Sequence, residues 1–123
     1  MSDSLTKDAV IIRDLRIETI VGLYPWERVA RQTLLVNLEL ACDVAKAAET
    51  GHLDDTIDYS AVCTAVTQFT QQGEFSLIET LAEDIAALIQ RSFSVTGIKV
   101  GVYKVDVLTM VDRVGVEITR GKM

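Results

Sequence analysis

The order in which two hydrophobic patterns follow one another constrains this fold more than any other feature of the chain. Four segments alternate apolar and polar residues, which is typical of strands with one solvent-exposed face. Between the second and third of them, two segments instead repeat apolar residues at helical spacing. The strands are expected at 9–21, 33–42, 98–104 and 114–120, and the helices at about 59–72 and 77–93. This order predicts an α+β domain in which a four-stranded antiparallel sheet carries two helices on one face.

The ends of the predicted helices carry residues that favour helix starts and stops. Asp58 can cap the first helix, and Gly73 can end it. Ser76 and Glu79 match a capping box, in which the serine side chain accepts a helix N–H and the glutamate reaches back to the serine N–H. Glu79 therefore has two interpretations: a cap, which the spacing favours, or a carboxylate that binds a ligand with paired N–H donors. The Ala-rich segment 44–50 is expected to form a short helical turn.

Composition and charge argue against several classes of function. The 123 residues suit one domain, expected at 9–123 after a flexible segment 1–8. A net charge of −6 argues against nucleic acid, whose phosphates need a basic surface. The sequence shows no membrane-spanning apolar run and no signal-peptide pattern, and its two cysteines suggest neither a disulfide framework nor a zinc cluster. We expect a cytoplasmic protein that binds no metal, membrane or nucleic acid.

Few residues offer catalytic chemistry on their own. His52 is the only histidine and lies in a polar connection, so a nucleophile activated by histidine has little support. Besides the glutamate of the second helix, three side chains are candidates, each with a purely structural alternative. Glu27 lies in the loop 24–28, whose aromatic residues could line a ligand site or plug the core. Tyr59 could be a core ring, and Lys104, expected at the end of the third strand, could be a solvated lysine.

Several short segments carry the most information about function when they are taken together. They are 20–27, 31–32, 55–59, 75–83, Lys104 and 114–120. In this order and at these spacings they resemble the dihydroneopterin aldolase family of folate biosynthesis, and the resemblance extends from about residue 9 to residue 121. The Tyr-x-Trp-Glu form at 24–27 is similar to the proteobacterial branch of that family.

The resemblance implies a fold and an assembly. It implies the tunnelling fold, in which the sheets of several subunits close into an oligomeric barrel and two rings stack into a homo-octamer. Four strands would leave two open sheet edges, which proteins normally protect, so the joining of copies into a ring fits the sequence. The substrate pockets that the resemblance implies lie between neighbouring subunits.

The resemblance also implies how a pterin ring is bound. Glu79 matches the family's anchor, a carboxylate that accepts two charge-assisted hydrogen bonds from N–H groups of the ring. Leu77 and Ile78 match residues that flank the ring. The segment that closes the other side comes from the adjacent subunit, and it matches Ile57, Asp58 and Tyr59.

The reaction that the resemblance implies needs no cofactor. Lys104 matches the catalytic lysine, Tyr59 the catalytic tyrosine, and Glu27 the glutamate that orients the lysine or the side chain of the substrate. The implied enzyme is an aldehyde-lyase that cleaves 7,8-dihydroneopterin by a retro-aldol reaction. The products are 6-hydroxymethyl-7,8-dihydropterin and glycolaldehyde, and the ring imine of the substrate takes up the electrons.

Two alternatives stay open at the level of sequence. One is an epimerase that acts on dihydroneopterin triphosphate or dihydromonapterin, since such aldolases often epimerise the 2′ carbon too. A phosphate-binding epimerase should show more basic residues near its pocket. The other alternative is a pterin-binding relative without turnover, which two departures from the family pattern motivate. Many relatives have proline after the catalytic lysine, whereas Val105 follows Lys104 here, and Pro25 changes the glutamate loop.

Overall fold

A four-stranded antiparallel sheet forms the framework of the protein. The computed structural model describes residues 8–22, 24–28 and 31–123, so the expected flexible segment 1–8 lies outside them apart from Asp8. The strands are β1 (Ala9–Thr19), β2 (Gln32–Ala41), β3 (Gly97–Leu108) and β4 (Val111–Gly121), and they lie in the order β1-β2-β3-β4. The predicted α+β class and the four-stranded antiparallel sheet are therefore confirmed.

Three α-helices connect the two halves of the sheet. They are α1 (Val44–Thr50), α2 (Tyr59–Gln72) and α3 (Ile78–Phe93), and two short 3-10 helices lie at Pro25–Arg28 and Leu53–Asp55. The helices α2 and α3 pack on one face of the sheet, α2 against β1 and α3 against β3 and β4. The prediction of two packed helices is confirmed, and the expected helical turn at 44–50 is a third helix without buried residues.

The core lies between this face of the sheet and the two packed helices. On β2, the residues at every second position are fully buried, whereas the residues between them are half-buried. The strand period of two places the buried set on one face. Burial of each large aliphatic side chain stabilises the fold by about 1.5–3 kcal/mol. The central members of this core are Leu34, Val36, Leu38, Leu40, Val62, Val66, Leu81, Ile85 and Ile89.

The strand β3 is longer than predicted. We expected it to end at Lys104, but it continues to Leu108 and pairs with the start of β4. A β-bulge lies between Val105 and Leu108, and Asp106 within it has a φ of 57°. A bulge disrupts the two-residue period, so the alternation of the sequence stops before the strand does. Lys104 is consequently held inside a strand, between Leu34 and Val114.

The predicted capping box at the start of α3 is wrong. The N-cap residue is Leu77, which is extended and makes no side-chain capping hydrogen bond, and Ser76 lies one residue too early. Phe75 forms a parallel β-bridge with Val21, which keeps this stretch of chain extended up to the helix. The predicted cap of α2 is confirmed, because the carboxylate of Asp58 accepts the Ala61 N–H over 3.2 Å. That helix also ends at Gln72, next to the expected stop at Gly73.

The opposite face of the sheet is polar and concave. The Tyr103 ring occupies space that Cβ atoms at Gly101 and Gly115 would fill, and its hydroxyl donates to Glu117. Burial raises the pKa of Tyr103, and the hydrogen bond to Glu117 acts in the same direction. Arg113 Nη1 on β4 donates to an Asp14 carboxylate oxygen on β1 over 3.1 Å. Because β1 and β4 are the two edge strands, this contact requires the sheet to curl around its polar face.

Within the described part of the chain, no helix is long and apolar enough to cross a membrane. The same residues bring together no group of three or more His, Cys, Asp or Glu side chains that could hold a metal ion. The cytoplasmic location and the lack of nucleic-acid binding stay predictions.

Candidate active site

A contact between Glu27 and Lys104 is the centre of the candidate site. The Lys104 Nζ donates to the Glu27 Oε2 over 3.0 Å, and each side chain is only 16% exposed. The two residues lie 77 positions apart in the sequence. The structure therefore brings together two of the predicted catalytic side chains in a partly desolvated environment, where a charge pair is stronger than in water.

The loop before β2 holds the Glu27 carboxylate in place. Glu27 Oε1 accepts the backbone N–H of Tyr24 over 3.2 Å. The Gln32 side-chain amide donates to the carbonyls of Val21 and Glu27, each over 2.8 Å, and so closes the loop on itself. The sequence contains no pattern that identifies Gln32 as a loop clamp. It belongs to one of the segments that carry the resemblance, but no role was predicted for it.

Gly22 is a second positioning residue that the sequence analysis missed. Its φ is 145°, and a Cβ at this position would come within 2.3 Å of the Glu27 Cβ. Its N–H also donates to the Phe75 carbonyl over 3.0 Å, which ties the glutamate loop to the segment before α3. A glycine directly before an aromatic loop was a visible signal for a close backbone approach.

Gly22→Ala is expected to destabilise the fold by about 1–3 kcal/mol and to move Glu27 away from Lys104. The positive φ disfavours alanine, and the Glu27 side chain occupies the position that the added methyl group would take. Denaturant unfolding and aldolase assays measure the two effects. Gly51→Ala is the matched control, because Gly51 also has a positive φ, 69°, but none of the described residues beyond its two chain neighbours has an atom within 4 Å of the position that the added methyl group would take. Equal losses for the two variants would contradict the steric argument.

The aromatic residues of the loop lie at the surface. Tyr24 and Trp26 stack on one another with ring centroids 4.5 Å apart and planes 7° from parallel. Trp26 is 67% exposed, and Tyr24 is half exposed. The interpretation of these rings as a core plug is therefore wrong, because both lie at the surface of the loop that carries Glu27.

The predicted pterin-anchoring residues lie at the start of α3. Ile78 is buried, and Leu77 and Glu79 are exposed. Among the described residues, the Glu79 carboxylate makes no hydrogen bond or ion pair. The β-bridge between Val21 and Phe75 places this helix start at the same end of the sheet as the Glu27 loop.

The other predicted ligand-binding segment lies far from this end within the same chain. The Cys42 sulfur is 3.7 Å from the Thr56 hydroxyl, so the start of α2 lies near the end of β2. Lys104 pairs with Leu34, near the beginning of that strand. A strand rises about 3.3 Å per residue, so roughly 25 Å separate the two positions.

The individual residues of that segment differ in their exposure. Tyr59 is 63% exposed, which contradicts its interpretation as a core ring, whereas Ile57 is buried. Asp58 caps α2 with its side chain. One chain therefore brings Glu27, Lys104 and the start of α3 to one end of its sheet, and it leaves Ile57, Asp58 and Tyr59 at the other end.

Comparisons with known proteins agree on one family. The family model described as "FolB: Dihydroneopterin aldolase" matches residues 10–119. The chain is 32% identical to the dihydroneopterin aldolase of Haemophilus influenzae over 114 residues, which cover 93% of this chain and 97% of the relative. It is also 25% identical over 105 residues to a dihydroneopterin triphosphate 2′-epimerase of Pseudomonas aeruginosa, with 85% of each chain covered.

A solved structure shows the same architecture. The Escherichia coli dihydroneopterin aldolase in complex with neopterin superposes with a TM-score of 0.88 at 31% identity, over 93% of this chain and 99% of the other.

Proposed function

The chain belongs to the dihydroneopterin aldolase family, and we propose that it cleaves 7,8-dihydroneopterin in folate biosynthesis with Lys104, Tyr59 and Glu27 as its catalytic residues. The observation that carries this proposal is the partly buried contact between Glu27 and Lys104 at the positions that match the family's pattern. Incubation with dihydroneopterin and measurement of glycolaldehyde test it. Pterin binding without glycolaldehyde would instead indicate a relative without turnover.

In the proposed reaction, the substrate supplies its own electron sink. Lys104 in its neutral form removes the proton of the 2′-hydroxyl, and the C1′–C2′ bond breaks as the 2′ oxygen becomes the carbonyl of glycolaldehyde. The bonding electrons move into the C=N bond of the reduced ring. Tyr59 of a neighbouring subunit helps to deliver a proton to C1′, which gives 6-hydroxymethyl-7,8-dihydropterin. Glu27 orients the lysine amine or the side chain of the substrate.

The pterin ring is proposed to bind at the start of α3. Glu79 is exposed and without a partner among the described side chains, so its carboxylate is available to two N–H groups of an aminopyrimidinone ring. A bidentate, charge-assisted contact of this kind fixes both position and orientation. Leu77 and Ile78 flank the ring, and Ile57 and Asp58 of the neighbouring subunit close its other side.

Complete sites are proposed to form between copies in a homo-octamer with barrel-shaped rings. The separation of roughly 25 Å between the two ligand-binding halves supports this assembly, because no single chain joins them. The open edges of β1 and β4 support it as well, since edge strands of neighbouring copies can pair and close a ring.

This assembly predicts that two inactive variants restore activity when they are mixed. Lys104→Ala chains keep Tyr59, and Tyr59→Phe chains keep Lys104. An equal mixture that is unfolded and refolded together is expected to recover activity in about a quarter of its sites, because each intact site needs one chain of each kind as neighbours. Glycolaldehyde release by the mixture measures the recovery.

The control is the same mixture combined without unfolding, in which the subunits have not been exchanged. A co-refolded mixture no more active than its two components would contradict a site shared between subunits. Light scattering that shows a fully active monomer would also contradict the octamer.

A second candidate activity is epimerisation at the 2′ carbon, which the similarity to the Pseudomonas aeruginosa epimerase favours. Recombination of glycolaldehyde with the ring intermediate would produce the epimer of the substrate in the same site. Analysis of the pterin products for both the hydroxymethyl compound and the 2′ epimer measures the two activities together.

A further inference from the structure

A cavity of about 390 Å³ opens beside the candidate catalytic pair. The residues that line it come from the loop before β2, from the start of β2 and from β3, and they are Trp26, Glu27, Gln32, Thr33, Val105, Asp106 and Val107. Glu27 belongs both to this cavity and to the contact with Lys104, so whatever occupies the cavity lies next to the proposed reaction centre.

Asp106 stands out among the residues that line this cavity. Its φ of 57° lies in the left-handed region, which is uncommon for residues other than glycine and is best tolerated by Asn and Asp. The β-bulge between Val105 and Leu108 places it there. Its side chain is exposed and makes no hydrogen bond or ion pair with the described residues.

Two of the described residues that line the cavity, Glu27 and Asp106, are charged, and both are acidic. Glu27 is paired with Lys104 at 3.0 Å, whereas the Asp106 carboxylate has no ion pair with a described residue. Among the described residues that line the cavity, none is an arginine or a lysine. An anionic group in this cavity would therefore meet a carboxylate without a compensating cation in the lining.

The proposed reaction fixes which part of a substrate lies near this cavity. When the 2′-hydroxyl is at Lys104, the terminal oxygen of the trihydroxypropyl chain is attached to the next carbon. That oxygen is a hydroxyl in dihydroneopterin and carries the phosphates in dihydroneopterin triphosphate. The two substrates therefore differ by several negative charges one carbon beyond the reacting hydroxyl, and the cavity that Glu27 lines lies next to that position in the proposed site.

We propose that Asp106 is a specificity-determining residue, which makes the cavity accept an uncharged polyhydroxyl chain and reject a phosphorylated one. The inference rests on the proposed function. Like charges in a partly enclosed site repel more strongly than in bulk water, so the carboxylate acts as a repulsive element against the phosphorylated substrate. The preference for dihydroneopterin over dihydroneopterin triphosphate then depends on a residue that does not take part in the chemistry.

The test compares the inhibition of dihydroneopterin cleavage by neopterin and by neopterin triphosphate. Asp106→Asn removes the charge, keeps the shape and tolerates the same backbone conformation. It is expected to improve inhibition by the triphosphate, relative to neopterin, by about tenfold. High salt should narrow the preference of the parent for neopterin and should affect the variant less, because screening weakens the repulsion.

Asp112→Asn is the matched control, because Asp112 is exposed on the same hairpin and does not line the cavity. An unchanged relative inhibition in Asp106→Asn, with glycolaldehyde still produced, would overturn this inference and leave the aldolase proposal intact. Equal changes in the two variants would also overturn it, since they would reflect overall charge. A parent protein that releases no glycolaldehyde and binds neither inhibitor would overturn the proposed function and this inference together.

Discussion

Lys104→Ala is expected to lower kcat by about 10²–10⁴-fold, the range typical of a lost general base, while pterin affinity stays nearly unchanged. The lysine is proposed to act on the 2′-hydroxyl proton, and this interaction is made mainly in the transition state. The pterin ring is proposed to be held elsewhere, by the start of α3. Steady-state kinetics with dihydroneopterin, together with calorimetric titration of neopterin, separate the two effects.

Lys99→Ala is the matched control for this variant. Lys99 lies on the same strand but on the polar face of the sheet, 3.6 Å from a Glu117 carboxylate oxygen. Thermal unfolding of both variants checks stability, because removal of Lys104 leaves the partly buried Glu27 without that ion pair. If Lys104→Ala cleaves the substrate as fast as the parent, the lysine only supports the glutamate loop, and another base carries out the reaction.

Glu79→Gln is expected to weaken pterin binding by about 2–3 kcal/mol, which corresponds to roughly 30- to 150-fold in affinity. The substitution replaces a charged acceptor of two N–H bonds by a neutral amide that presents one acceptor and one donor. The fold should tolerate it, because Glu79 is exposed and takes no part in capping α3. Calorimetric titration with neopterin measures the change.

Glu83→Gln provides the comparison one turn farther along α3. Glu83 accepts a hydrogen bond from Arg120 Nε over 3.1 Å, and this arginine holds the pKa of Glu83 below its ordinary value. Loss of the Glu83 carboxylate should therefore lower stability slightly and leave pterin affinity unchanged. Unchanged affinity in Glu79→Gln would reduce Glu79 to a favourable charge at a helix N-terminus.

The parts of the fold that obey a simple period could be predicted from the sequence. The alternation in the predicted strand 33–42 places Leu34, Val36, Leu38 and Leu40 on one face, and all four are buried in the core. Local side-chain capping was predictable at Asp58, where the carboxylate bonds a backbone N–H three residues ahead. Both signals depend on neighbours in the sequence, which explains why they were visible there.

The errors arose where pairing with another segment of the chain overrides a local pattern. The spacing of Ser76 and Glu79 favours a capping box, but the bridge to Val21 keeps the chain extended through Leu77. The end of β3 was missed because a bulge at Asp106 interrupts the alternation. Neither the bridge nor the bulge can be recognised from the local spacing of apolar residues.

The candidate site also depends on contacts that local sequence patterns do not predict. The contact of Glu27 with Lys104 joins residues 77 positions apart, and only the resemblance to a family predicted that they belong together. Gly22 was visible as a glycine before an aromatic loop, but neither its close approach to Glu27 nor the two carbonyl contacts of Gln32 follow from a spacing rule. The roles of these residues in catalysis stay predictions until the variants are measured.

The position of Trp26 gives the protein a built-in optical reporter. It is the only tryptophan of the chain, it stacks on Tyr24, and it lines the same cavity as Glu27. Its indole emission depends on the polarity around one surface position, so a fluorescence change can be assigned to a known place without any label. Stopped-flow fluorescence can therefore follow the arrival of a ligand at this loop on the timescale of a single turnover, a step that product assays do not resolve.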